Sequence, residues 1–275
     1  MPTPPLRIAQ TFSDLRAANR MAFMPFLTAG DPDLEMTKAA IRELARRGVD
    51  LIEVGFPYSD PIADGPVIQA SYTRALEKGI RVADIFAQVS ELKAEEMPPL
   101  VGMVAYSIVF RFGTEAFLTK AVEAGFSGLI VPDLPGDEAE DFAKEVKSHG
   151  LDLIELIAPT TPENRAERIL SVAGGFVYCI SVAGTTGVRK ELPPELKEQL
   201  HWLRTKTDLP LAVGFGISHP EQVDLLRGAA DGVIVGSALV KQFAAVSEGT
   251  LSREAALNAI GEFAAAMLAK TSQSN

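Results

Sequence analysis

The chain has 275 residues, 47% of them hydrophobic and 23% charged, with a formal net charge of −10 and a pI of about 4.9. That acidic balance argues against nucleic-acid binding, which calls for a basic stripe, and a single cysteine, Cys179, excludes an internal disulfide framework or a thiolate metal cluster. His149, His201 and His219 lack ligand spacing, so no metal is expected; with no leader-like start and no apolar run of about 18 residues, the chain is expected to be cytoplasmic, without a membrane span.

Residues 1–7 are rich in proline. From Ile8 to Ala18 the apolar residues Ile8, Phe12 and Leu15 mark a short amphipathic helix, suited to covering the open end of a barrel. Short apolar runs then alternate with helical patterns. Strand 1 is expected over residues 21–28, followed by a helix that Asp31 or Asp33 caps and Gly48 ends. Strand 2 covers 49–54, and two helices follow, over 67–76 and 82–95. Strand 3 covers 100–106, with a helix over 113–124. Strand 4 covers 127–131 and its helix 137–148. Strand 5 covers 151–157, and its helix runs to Ala173. Strand 6 covers 176–180, with a helix over 194–205. Strand 7 covers 211–213, with a helix over 220–227. Strand 8 covers 232–235, and helices over 238–246 and 253–268 close the chain before a polar tail.

The strand runs are apolar throughout rather than alternating, the pattern of parallel strands covered on both faces. Eight strand–helix units in order predict a single (β/α)8 TIM barrel over residues 1–275, with an extra N-terminal helix and additional helices after strands 2 and 8. An open doubly wound sheet is the competitor, and no G-x-G-x-x-G follows strand 1 to support it.

A barrel carries its active site where the strands end. Strand 2 brings Glu53, and the loop Gly55-Phe56-Pro57-Tyr58-Ser59-Asp60-Pro61-Ile62-Ala63-Asp64 brings Asp64. A carboxylate inside an apolar strand is costly unless paired or used. Burial would raise its pKa and let it exchange a proton near neutral pH. The competing reading of Glu53 is a structural acid satisfied by backbone or tyrosine donors, and that of Asp64 is ordinary turn chemistry. Strand 4 ends at Asp133, between prolines, a structural or partner-facing position; strand 6 offers Tyr178, a wall with a hydroxyl. Thr28 and Thr160 follow strands 1 and 5. Glycines after strands 7 and 8 (Gly214, Gly216 and Gly236, the last before a helix at Ser237) suit an anion, as does Gly184-Thr185-Thr186-Gly187 after strand 6. Tight turns alone would also explain glycines there. No lysine lies where a strand stops, which argues against a Schiff-base aldolase. Carboxylate acid–base chemistry on a small phosphorylated substrate remains.

The run Ile52-Glu53-Val54-Gly55-Phe56-Pro57-Tyr58-Ser59-Asp60-Pro61-Ile62-Ala63-Asp64-Gly65-Pro66-Val67-Ile68-Gln69 resembles the signature of the tryptophan synthase alpha chain family. Phe26-Leu27-Thr28-Ala29-Gly30-Asp31-Pro32, Val131-Pro132-Asp133-Leu134-Pro135, Ala158-Pro159-Thr160-Thr161 and the three glycine-rich ends resemble its other segments. The resemblance implies a lyase that cleaves indole-3-glycerol phosphate to indole and D-glyceraldehyde 3-phosphate. It assigns acid–base catalysis to Glu53 and Asp64, with Glu53 moving protons and Asp64 bonding the indole N–H. Tyr178 would line the site, with Phe26 and Val104 as apolar walls. Phosphate would fall to Gly187, Gly216, Gly236 and Ser237. Thr160, Thr186 and Gly214 complete the expected binding set.

It also implies a beta-chain partner in an alpha2beta2 complex, with pyridoxal phosphate on that partner and no cofactor on this chain. One departure touches the partner side. The family usually reads Tyr-Tyr-Asn-Pro after strand 3, where this chain has Ala105-Tyr106-Ser107-Ile108. Two rival functions are a non-catalytic alpha-like barrel that binds a phosphorylated ligand and activates a beta chain, and a sugar-phosphate isomerase. The retained acid pair speaks against the first, and its full signature against the second.

Overall fold

The computed structural model describes residues 7–61, 64–136, 138–181, 192–214 and 216–272. Eight strands run in chain order around a closed barrel: β1 (Ala22–Thr28), β2 (Ile52–Gly55), β3 (Leu100–Met103), β4 (Phe126–Ile130), β5 (Asp152–Ile157), β6 (Val177–Ile180), β7 (Leu211–Gly214) and β8 (Gly232–Val235). Every pairing is parallel. Closure rests on β1 against β8, from Ala22↔Gly232 to Pro25↔Val235. Gly232 permits that approach, since a Cβ there would stand 2.9 Å from Met24 and 3.1 Å from Ala22. The open sheet is thereby excluded.

The helices are α1 (Arg7–Ala17), α2 (Leu34–Arg47), α3 (Pro66–Glu77), α4 (Val82–Ser90), α5 (Tyr106–Phe112), α6 (Thr114–Ala124), α7 (Ala139–Ser148), α8 (Glu163–Val172), α9 (Pro194–Arg204), α10 (Val223–Leu226), α11 (Ser237–Ser247) and α12 (Arg253–Thr271). Asp33, not Asp31, caps α2, accepting the Met36 N–H at 2.9 Å, and Gly48 ends it at φ 82°. Asp31 is fully buried and takes a two-pronged bond from Arg74, at 2.9 and 2.6 Å.

Side chains alternate across each strand, and this splits the core in two. Met24, Phe26, Leu51, Val101, Met103, Ile154 and Tyr178 fill the barrel interior. Phe23, Leu27, Ile52, Val54, Leu129 and Val233 pack outward against the helices. Ile8, Phe12 and Leu15 of α1 join the interior group, and the Phe12 and Phe176 rings meet at 5.7 Å. The first helix therefore plugs the N-terminal end of the barrel, as its pattern predicts.

The helix expected over 82–95 ends at Ser90, and two strand boundaries shift. Strand 2 starts later and runs through Gly55, so that Glu53 is its second residue. Strand 3 stops at Met103, and Tyr106 opens a helix that the sequence did not announce. The run Tyr106-Ser107-Ile108-Val109-Phe110 is apolar enough to pass for strand. Its burial follows a helical spacing instead: Val109 is buried and Phe110 is 71% exposed. The Asp133 carboxylate accepts the Tyr106 N–H at 2.7 Å, which fixes the start of this helix, and Gly113 at φ 94° ends it.

Candidate active site

The C-terminal mouth of the barrel is built around β2. Leu51 belongs to the interior group while Ile52 and Val54 face the helices. Alternation therefore turns Glu53 inward. It is fully buried, and among the described residues neither carboxylate oxygen has a hydrogen-bond partner. Burial pushes its pKa up to about 8, so at neutral pH it holds a proton that it can give away.

The loop after β2 returns Asp64 to the same mouth. Gln69 at the start of α3 shapes that loop, donating to the carbonyls of Asp64 at 2.8 Å and Pro61 at 3.1 Å. Burial raises the Asp64 pKa to about 6, against the opposing hydrogen bond of the Tyr58 hydroxyl. Tyr58 packs on Tyr72 at 5.4 Å, and on β6 Tyr178 is buried within the field of Glu53 and Asp64. Two acids with unequal environments thus share one apolar, tyrosine-lined mouth, the arrangement that separates acid and base roles.

Phe26 lies beside Glu53 in the strand register. Its ring fills the space that a Cβ on Gly55 would take, 2.5 Å away, and comes within 3.3 Å of one on Gly236. Val104 does not join this wall. It packs in the outer group, and the inward residue at the end of β3 is Met103. Strand alternation from Val101 carried that signal: the side chain turned inward is that of Met103. Thr160 is exposed beyond β5. Thr28 is buried, its hydroxyl 2.6 Å from that of Ser71, which ties β1 to α3.

Across the mouth, Gly236 precedes α11, whose first turn has neither a side-chain cap nor an acid. Those unsatisfied amides and the helix dipole favour an anion beside Ser237. Gly216 sits at φ 80°. The buried side chain of Gln222 orders this loop, accepting the Ser218 and His219 N–H groups at 2.8 and 2.9 Å and donating to the Gly216 carbonyl at 3.1 Å. Those two amides are thereby occupied, and no spacing in the sequence pointed to Gln222. Gly214 has a different duty from the one expected: a Cβ there would collide with the Tyr178 hydroxyl. Thr186 and Gly187 lie outside the described residues. Among the described residues no group of three or more His, Cys, Asp or Glu could hold a metal ion, and no helix is long and apolar enough to cross a membrane.

Comparison with known proteins places this geometry. The model of the tryptophan synthase alpha chain family matches residues 12–268. A tryptophan synthase alpha chain of Rhodopirellula baltica is 49% identical over 236 residues, 85% of each chain. One of Rippkaea orientalis is 47% identical over 257 residues, 93% of this chain and 94% of the other. Among solved structures, tryptophan synthase subunit alpha of Legionella pneumophila superposes with a TM-score of 0.86 at 35% identity, covering 96% of this chain and 98% of that one.

Proposed function

This chain belongs to the tryptophan synthase alpha chain family, and we propose that Glu53 and Asp64 divide the acid–base work of that family's reaction between them. The protein is a lyase of tryptophan biosynthesis, cleaving indole-3-glycerol phosphate to indole and D-glyceraldehyde 3-phosphate.

The carbon–carbon bond to indole C3 breaks only once the ring can accept its electron pair. Glu53, protonated at neutral pH by its burial, delivers a proton to C3. The ring becomes an iminium with its positive charge on N1. Asp64 accepts the N1–H and steadies that charge, and its lower pKa of about 6 keeps it ionised when Glu53 is not. The hydroxyl on the adjacent side-chain carbon then loses its proton to the Glu53 carboxylate. Its oxygen forms the aldehyde carbonyl, the bond to C3 breaks, and the released pair restores the indole ring. Glu53 ends the cycle protonated.

Phe26, Met103 and Tyr178 form the apolar walls for the ring. The first turn of α11, with Gly236 and Ser237, receives the phosphate; Gly216 and the loop carrying Thr186 and Gly187 complete that grip. The chain needs no cofactor for this chemistry. Its partner is a beta chain that holds pyridoxal phosphate and takes up the indole, in a cytoplasmic alpha2beta2 complex. The face offered by α5, where Phe110 is 71% exposed, supports such a contact.

The observation that carries the mechanism is the carboxyl of Glu53, fully buried and unpartnered among the described residues. Glu53→Gln keeps the shape and removes the titratable proton. Indole release is expected to fall by about a thousandfold or more with binding of substrate retained; turnover at the wild-type rate would end this assignment.

A further inference from the structure

The Tyr72 side chain has no place in the chemistry above, yet it is buried at the centre of the mouth. It lies on α3, six residues beyond the helix start, and is 0% exposed within the interior group. Its hydroxyl has no hydrogen-bond partner among the described residues. A buried hydroxyl left unpaired is costly, and buried polar groups are paired almost everywhere else in proteins. The group closest in kind is Glu53, whose two oxygens are also unpartnered.

Gly55 connects the two. It stands two residues beyond Glu53 on the same inner face of β2, about 7 Å further toward the mouth. The Tyr72 hydroxyl lies 2.8 Å from where a Cβ on Gly55 would be. The tyrosine therefore occupies the side-chain position next in line after Glu53. A change of rotamer that turned the Glu53 side chain toward the mouth would carry its carboxylate in the direction of that hydroxyl. Any residue other than glycine at position 55 would displace both Tyr72 and the Phe26 ring.

We propose that Tyr72 is a positioning residue: its O–H donates a hydrogen bond to the Glu53 carboxylate at the moment that carboxylate is created by proton transfer to the substrate, and holds it for return of the hydroxyl proton. No proton leaves Tyr72. Both groups are unpaired while Glu53 is protonated, and the bond forms as charge develops, so it stabilises the reacting state more than the resting one. Burial, then the neighbouring Asp64, Tyr58 and Glu53, hold Tyr72 well above the ordinary tyrosine range, so it remains a donor throughout. Among the described residues, Tyr178 on β6 shares the field of Glu53 with Tyr72, and Asp64 acts on both tyrosines.

This inference rests on Glu53 being the acid, and its test separates the two. Tyr72→Phe retains the ring and loses only the oxygen. The kcat for indole release is expected to fall about ten- to hundredfold, with KM changed by less than about twofold. The alkaline limb of the kcat profile moves up by about one pH unit, because the donor favouring ionised Glu53 is gone. At pH 6 the unfolding temperature does not drop, since the hydroxyl removed had no partner there. A purely structural tyrosine gives the reverse: lower thermal stability with the pH profile intact. That pattern, a loss confined to KM, or wild-type kcat and pH profile would each overturn the role of Tyr72. If Glu53→Gln stays active, the acid assignment itself falls; if Glu53→Gln is inactive and Tyr72→Phe behaves as wild type, only the role of Tyr72 falls.

Discussion

Both ends of the barrel carry carboxylates beside strand termini, and Asp50 and Asp231 at one end stand in the opposite condition to Glu53 at the other. At the N-terminal end, Asp50 accepts the Phe23 N–H at 2.9 Å, and Asp231 accepts the Leu211 N–H at 2.7 Å while pairing with Arg204 at 2.6 Å. Each pins the first turn of one strand to its neighbour. Asp152, at the start of β5, lies between the extremes: the Gly175 N–H opposes the effect of burial, and one oxygen has no partner, leaving its pKa at about 6. At the mouth, Glu53 has no partner among the described residues, and burial pushes its pKa up to about 8. The paired acids stabilise the strand starts, and the proposed chemistry falls to the acid left unsatisfied at the mouth. Pairing, rather than burial, separates the two classes.

The sharpest test of that contrast is the pair Glu53→Gln and Asp231→Asn. The first abolishes indole release without loss of stability. The second leaves the turnover per folded molecule near the wild-type value and lowers stability by about 1–3 kcal/mol, because the Leu211 N–H and the Arg204 guanidinium lose a charged partner. Denaturant unfolding and single-turnover assays on both variants check it. Should Asp231→Asn lose activity in proportion to Glu53→Gln, the division between the two ends fails.

Asp64→Asn comes next. Its carboxylate is half-satisfied by Tyr58, so it should behave between the extremes. Loss of the charge that steadies N1 is expected to lower kcat by about a hundredfold. A rate within about twofold of wild type would remove Asp64 from the chemistry.

The last expected effect, on stability rather than on rate, is a pH dependence. The folded-state pKa of Glu53 is raised from 4.5 to about 8, so the unfolded chain gives up this proton first. Its stabilising contribution is complete below about pH 4.5 and is lost as the pH rises toward 8. Glu53→Gln removes that loss, and its stability advantage over wild type should grow between pH 5 and pH 8, to on the order of a few kcal/mol. Parallel stability curves for the two proteins would show that Glu53 does not carry the shift.

Glu53 and Asp64 were legible in the sequence because strand order alone decides which end of a barrel a residue occupies. The uncapped first turn of α11 was legible for the same reason: glycine before a helix start is a backbone signal, and backbone signals are local. Val104 and Met103 show where that legibility stops. The inner and outer faces of a strand differ by one residue, and an all-apolar run gives no phase from which to tell them apart. The helix from Tyr106 was hidden because Ile108, Val109 and Phe110 suit a strand equally well, and Asp133, 27 residues away, settles the matter. Gln222 and Gly214 were misjudged or missed because their duties are to particular distant atoms: three loop groups for the glutamine, and the Tyr178 hydroxyl for the glycine.

By itself, then, the sequence determined the order of strands and helices, the closed parallel barrel, the end at which chemistry occurs and the two acids that reach it. These follow from local periodicity and from the handed, short connections that parallel strands require. Only the tertiary structure decided which acids are paired, that Asp31 binds Arg74 rather than capping a helix, that Met103 joins the barrel interior, and that the Tyr72 hydroxyl, unpaired among the described residues, reaches the side-chain space of Gly55, two residues beyond Glu53. Pairing depends on the separation of atoms far apart in the chain, and that separation exists only once the barrel has closed.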